Sequence, residues 1–89
     1  MPETPFHVEV VAVDQRLYSG EATIVVAQTT EGEIGILAGH QPLLAILAAG
    51  EVRLTMDGGG TVTAQAEEGF LSVENNTVTI VARAAELVP

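Results

Sequence analysis

An all-β domain of the sandwich or barrel kind is predicted for this chain on three observations. Apolar and polar residues alternate at period two along several segments, which is the signature of half-buried strands. Turn signals recur about every eight to twelve residues, the spacing of short strands in a sandwich or barrel. Much of the apolar complement is β-branched, and such side chains fit a pleated surface better than a helix interior. The chain has 89 residues, 47% of them hydrophobic, and reads as one domain over 1–89. Folding at this size hides only roughly 60–65% of the surface an unfolded chain exposes. With Phe6, Tyr18 and Phe70 the only aromatic residues, the core has to be built from Val, Ile, Leu and Ala.

The first strand is expected from Phe6 to Val13, with Phe6, Val8, Val10 and Ala12 on one face and His7, Glu9, Val11 and Val13 on the other. Asp14-Gln15-Arg16 reads as a turn and Leu17 to Ser19 as a short return strand, broken by Gly20-Glu21. Thr23 to Gln28 is apolar on both faces, which suggests burial on both sides. Glu31-Gly32-Glu33 is a turn, Ile34 to Leu37 an apolar strand, and Gly39 and Pro42 bracket His40 in a loop. Leu43 to Ala49 is apolar throughout, so period alone does not separate strand from helical turns; its length and the closing Gly50 favour a strand. Val52, Leu54 and Met56 alternate with polar residues, and Asp57-Gly58-Gly59-Gly60 is a strong hairpin signal. Val62, Ala64 and Ala66 alternate in the next strand, after which Glu68-Gly69 turns the chain into Phe70 to Glu74. Asn75-Asn76 makes another tight turn, because Asn tolerates left-handed backbone. Val78, Ile80 and Ala82 alternate in the last strand, and Ala84 to Pro89 could start a helix but is too short to hold one alone.

Charge and composition exclude several function classes. Twelve acidic and three basic residues give a net charge of −9, with Arg16, Arg53 and Arg83 as the only strong bases and no lysine. Three scattered arginines cannot form the basic patch that nucleic acid requires, and the same deficit argues against anionic lipid. Absent lysine also closes the biotinyl or lipoyl carrier reading, since those cofactors are attached to one. No cysteine is present, so there is neither a disulfide framework nor thiolate chemistry, which favours the cytoplasm. The N-terminus lacks a signal-peptide pattern, and no apolar run approaches the roughly 18 residues that span a bilayer, so direct membrane insertion is not expected.

The sequence offers little catalytic chemistry. His40 is the one residue to question, but a general base needs an orienting partner and a substrate in reach, and a loop histidine bonded to backbone or to a partner fits better. His7 is too isolated to suggest a metal pair. Glu67 and Glu68 are adjacent and so face opposite sides of a strand, while Glu31 and Glu33 flank a glycine turn. Gly32, Gly35 and Gly39 lack the lysine and following helix of a phosphate loop. No cofactor is expected.

The segment Gly32-Glu33-Ile34-Gly35-Ile36-Leu37-Ala38-Gly39-His40-Gln41-Pro42-Leu43-Leu44 resembles the signature loop of the epsilon subunits of F-type ATP synthases. Ser19-Gly20, Gly50-Glu51-Val52-Arg53, Gly69-Phe70-Leu71-Ser72-Val73 and Asn76 to Ala82 resemble further segments of that family, in order and at its spacing. The resemblance implies a flattened β-sandwich of about ten short strands in two five-stranded sheets. It also implies a non-catalytic subunit of the central stalk, at the cytoplasmic face of a bacterial cell membrane. Its partners would be the gamma subunit and the membrane c-ring, so that proton-driven rotation is coupled to ATP synthesis. By similarity, Glu31, Glu33, His40, Gln41 and Pro42 are candidates for c-ring contact, with Glu33 foremost because a carboxylate facing a ring arginine forms a charge-assisted pair. Val11, His40 and Leu43 are the gamma-facing candidates. Ala38 stands where the family commonly has proline. The helical hairpin that usually follows in the family, with its inhibitory and ATP-binding roles, has no counterpart in these residues. The competing class is a stand-alone β-sandwich recognition module, which would want exposed aromatic platforms; a small enzyme built around His40 is the third.

Overall fold

A computed structural model describes residues 4–56 and 58–88. The readings placed on Met1-Pro2-Glu3, Asp57 and Pro89 lie outside the described residues. Seven strands follow one another: β1 (Phe6–Ala12), β2 (Gln15–Thr29), β3 (Gly32–Ile36), β4 (Leu43–Leu47), β5 (Gly50–Met56), β6 (Thr61–Glu74) and β7 (Thr77–Val88). Among the described residues no helix is long and apolar enough to cross a membrane.

Three strands are long because each serves two layers. The first part of β2 pairs with β1 and its second part with β3 and β5. The first part of β6 pairs with β5 and its second with β4, and β7 follows β6 throughout while its first part also pairs, in parallel, with β1. One layer is therefore ordered β2, β1, β7, β6, β4, and the other β3, β2, β5, β6, β7. Counting the halves of β2, β6 and β7 separately turns seven strands into ten, five to a layer. The shortest principal extent, 20 Å, suits two sheets packed about 10 Å apart with side chains on both outer faces. This is the flattened sandwich expected.

The core lies between the layers, and period two puts it there. Phe6, Val8, Val10 and Ala12 of β1 are buried, as are Leu71 and Val73 of β6 and Val78, Ile80 and Ala82 of β7. Opposite them sit Val25 and Ala27 of β2, Ile36 of β3, Val52 and Leu54 of β5, and Ala64 and Ala66 of β6. Each fully buried Val, Leu or Ile contributes about 1.5–3 kcal/mol.

The layer change of β6 and β7 occurs at one corner. Pairing runs from Glu67↔Ala84 straight to Gly69↔Ala82, so Glu68 and Arg83 are both skipped. Glu68 has φ 51°, and Arg83 Nη1 donates to its Oε2 at 2.9 Å. At Gly69 the chains nearly touch: a Cβ there would lie 1.9 Å from the Val81 carbonyl oxygen and 2.7 Å from Ala82 Cα.

Several sequence expectations change in detail. Glu68-Gly69 is a bend within one strand and not a turn between two, because the backbone keeps pairing with β7 on either side. Ala84 to Val88 is strand, since β6 offers Thr63–Glu67 as a template. The first turn sits at Val13-Asp14, with Ala12 facing Gln15. Gly20-Glu21 does not end β2, which pairs with β1 through Ala22 and then slips register before Ile24. Beyond it β2 buries one face only: Val25, Ala27 and Thr29 are buried, while Ile24, Val26 and Gln28 are half-buried. Leu43 to Leu47 is the strand favoured over helical turns. Both hairpin signals hold, with Asn75 and Asn76 at φ 51° and 57° as a type I′ turn requires, and Gly58 and Gly59 also at positive φ.

Candidate docking surfaces

The thirteen-residue segment that carries the resemblance spans β3, a loop and the start of β4. The candidate residues within it, and Glu31 just before it, fall into two groups. Glu31 sits with Thr30 at the tip of the β2–β3 hairpin and Glu33 in the first turn of pleat beyond it. Thr29, the one buried polar side chain among the described residues, shapes that tip. Its hydroxyl donates to the Gly32 carbonyl at 2.7 Å and accepts from the Glu31 N–H at 3.1 Å. Gln28 Nε2 donates to Glu33 Oε2 at 3.0 Å across the strand pair. Both carboxylates are exposed.

His40, Gln41 and Pro42 lie at the other end of β3, about 13 Å of extended strand away. There the loop is pinned from outside. Asn76 Oδ1 accepts from the Gly39 N–H at 2.8 Å, and the Asn76 carbonyl accepts from the His7 N–H at 3.2 Å. His40 Nδ1 lies 2.8 Å from the Gln41 carbonyl oxygen, the backbone bond that the sequence reading preferred to catalysis. In the sequence Asn76 signals a turn and opens the Asn76–Ala82 resemblance; its role as the loop's anchor follows from tertiary proximity, which spacing alone does not reveal. Asn76→Ala should loosen the loop and strain the type I′ turn, costing about 1–2 kcal/mol. Urea unfolding measures the cost, and faster amide exchange at Gly39 reports the loop.

The gamma-facing candidates are also separated. Val11 is on the outer face of the first layer, whereas Leu43 is half-buried and packs against the core. Its neighbour Leu44 takes the outer position. Strand register lines up Ile46, Phe70, Val81 and Val11 across β4, β6, β7 and β1. Leu44 (68% exposed), Ile46 (56%) and Phe70 (39%) make this an apolar stripe on the outer face. Alternation of Leu43 to Leu47 was hidden in the sequence because both faces are apolar. Of the three aromatics, Phe6 is buried and Tyr18 half-buried, so no aromatic platform forms.

Beside the stripe lies a polar cluster. Glu9 accepts hydrogen bonds from the Ser19 hydroxyl and from His7 Nε2 at 3.1 Å, and Arg16 Nε stands 3.3 Å from its other oxygen. The Ser19 bond first, then His7 and the Arg16 charge, hold the Glu9 carboxyl below its ordinary value of 4.5. A depressed carboxylate contributes stability above its unfolded pKa and loses it as pH falls through the folded one. Acid titration of the wild type should therefore lose a small increment below about pH 4.5 that Glu9→Gln lacks. Paired urea melts at pH 6 and pH 3.5 check this, and parallel pH dependences for the two proteins would contradict it.

No group of three or more His, Asp or Glu side chains suited to a metal occurs among the described residues.

A profile of the family "ATP synthase, Delta/Epsilon chain, beta-sandwich domain" matches residues 5–88. Over 81 residues the chain is 49% identical to an ATP synthase epsilon chain of Streptomyces coelicolor, with 91% of this chain and 65% of the relative covered. It is 51% identical to one of Micrococcus luteus over 81 residues, covering 91% of this chain and 89% of that one. The chain thus spans about 65% of the length of the first of these curated relatives. A chain in the Euglena gracilis mitochondrial ATP synthase structure containing OSCP, F1 and c-ring superposes with a TM-score of 0.88 at 25% identity, covering 98% of this chain and 56% of that one.

Proposed function

This chain belongs to the family of ATP synthase delta/epsilon-chain β-sandwich domains, and from that membership we propose that it is a non-catalytic rotor subunit of the central stalk, joining the gamma subunit to the c-ring. Acting as one domain, it transmits rotation driven by protons crossing the membrane to the ATP-synthesising head. Its place is the cytoplasmic face of a bacterial cell membrane, held there through the complex.

The observation that carries this reading is the apolar outer face of the first layer. A β-sandwich that worked alone would present mostly polar residues there, as the middle of the second layer does with Glu51, Arg53, Gln65 and Glu86 exposed along β5, β6 and β7. Leu87 and Val88, at the end of β7, are that layer's exposed large apolar residues. Contiguous exposed Leu44, Ile46 and Phe70 call for a protein cover. Gamma is the proposed cover, reaching Val11 on the same face and His40 in the loop before β4. Leu43 turns toward the core, and its neighbour Leu44 takes its place in the contact. The ring contact is assigned to Glu31, Glu33, His40, Gln41 and Pro42. Because these fall at both ends of β3, they serve one ring only if it lies along that edge of the sandwich.

The test is capture of purified gamma subunit and c-ring by the immobilised chain. Glu33→Arg should weaken ring capture about tenfold at low salt while leaving gamma capture and the circular dichroism spectrum unchanged. Unaltered ring capture by that variant would remove Glu33 from the contact, and failure of the folded wild type to capture either partner would overturn the rotor reading.

A further inference from the structure

We propose that the groove between β3 and β4 is a strand-addition site, taking an extended basic segment of a partner polypeptide. This goes beyond the rotor reading, because it concerns a binding mode and not which subunit supplies the segment.

The groove has a volume of about 460 Å³. Its walls include the apolar side chains of Ile34, Leu43, Leu44 and Ile46, with Glu31 and Glu33 at the hairpin end and no cation among its lining residues. Both bordering strands have an open backbone edge. β3 pairs with β2 on one side only. β4 pairs with β6 along its whole length, but its other edge meets β2 only near Leu47. There the Ile46 carbonyl accepts from the Thr30 N–H at 3.0 Å, and the Ala48 N–H donates to the Gln28 carbonyl at 3.0 Å. In an antiparallel strand alternate residues direct both backbone groups to the same edge, so Leu44 directs its N–H and C=O to that edge too, beyond the last contact with β2.

Exposed edges are usually blunted by lysine, proline or a bulge. β4, Leu43-Leu44-Ala45-Ile46-Leu47, has none of these and no charge. An added strand of five to seven residues would satisfy the edge, place alternate apolar side chains against Leu44 and Ile46, and bring basic ones to Glu31 and Glu33. Main-chain bonds then supply affinity and the alternating pockets selectivity. Charge decides the sign of the partner: the lining carries two carboxylates and the chain as a whole −9.

The probe is an eight-residue peptide alternating valine and arginine, blocked at both ends, titrated into the isotope-labelled chain at low salt. Amide shifts should be confined to Glu33–Ile36 and Leu43–Ile46, and exchange there should slow about tenfold or more. The same peptide N-methylated at alternate residues cannot pair with an edge and should not bind. Glu31→Gln with Glu33→Gln should weaken the arginine peptide several-fold and leave its contacts on β4 in place. Equal binding by the N-methylated peptide, or by a valine–glutamate peptide, overturns the proposal, as do shifts elsewhere or no shifts. So does a chain that already protects these amides by pairing with a second copy of itself, which sedimentation would reveal. Since neither gamma nor ring is present, a negative result here leaves their capture unaffected as a separate test.

Discussion

Gly69→Ala is expected to abolish the folded state or to destabilise it by more than about 4 kcal/mol, at the far end of what single substitutions do. The alanine Cβ would meet the Val81 carbonyl oxygen at 1.9 Å and Ala82 Cα at 2.7 Å. Both are backbone atoms of β7, so no rotamer change relieves the overlap; the two strands have to part. They part at the corner where β6 and β7 pass together between layers, which would disturb the core on both sides, including Leu71, Ile80 and Ala82. A domain of this size has only about 4–13 kcal/mol in all. Gly35→Ala provides the contrast. It lies in β3 within the Gly32–Leu44 segment, no heavy atom would come within 4 Å of its Cβ, and its φ is not in the left-handed range. Its effect should fall within about 1 kcal/mol of zero and can be stabilising, by restricting the unfolded chain. Urea melts of the two variants separate the cases, and a Gly69→Ala protein as stable as wild type would mean the strands cross with more room than 1.9 Å allows.

That contrast marks what the sequence carries and what it does not. The inward faces of β1, β5 and β7 are read directly from alternation, because one face is dry and the other wet. Glycine type is readable too, but its reason is not: Gly69 looks like a turn residue beside Glu68, and only the approach of Val81 shows that it is a crossing point. The same holds for β4. An all-apolar Leu43–Leu47 has no period to read, yet pairing with β6 turns Leu44 and Ile46 outward and Leu43 and Leu47 inward. The helix considered for Ala84 to Val88 fails because a template strand outweighs local propensity. For the site, Glu31, Glu33 and the His40 loop are neighbours in sequence, in or beside the Gly32–Leu44 segment, and folding puts them at opposite ends of β3. Asn76, which fixes that loop, lies far away in sequence, and neither its turn nor the segment it opens signals that contact.

With gamma as the proposed cover of the apolar stripe, Phe70→Asp is expected to lower affinity for the gamma subunit by about 30-fold or more while the isolated chain stays folded. Phe70 is at the middle of the stripe, with Ile46 opposite on one side and Val81 on the other, and large aromatic residues near the centre of an interface are the usual sites where truncation costs about 2 kcal/mol or more. A carboxylate there also has to be desolvated beneath the partner without a cation in the stripe to meet it; Arg16, across from Val11, already faces Glu9. In the free chain the change is mild, because Phe70 is 39% exposed and its ring is not part of the buried cluster. Gln65→Asp on the outer face of the second layer adds the same charge where β5, β6 and β7 already present Glu51 and Glu86. It should leave gamma affinity within about twofold of wild type. The pair of variants therefore assigns the face: loss with Phe70→Asp alone puts gamma on the apolar layer. Loss with Gln65→Asp alone moves gamma to the acidic layer, and the stripe then needs another cover.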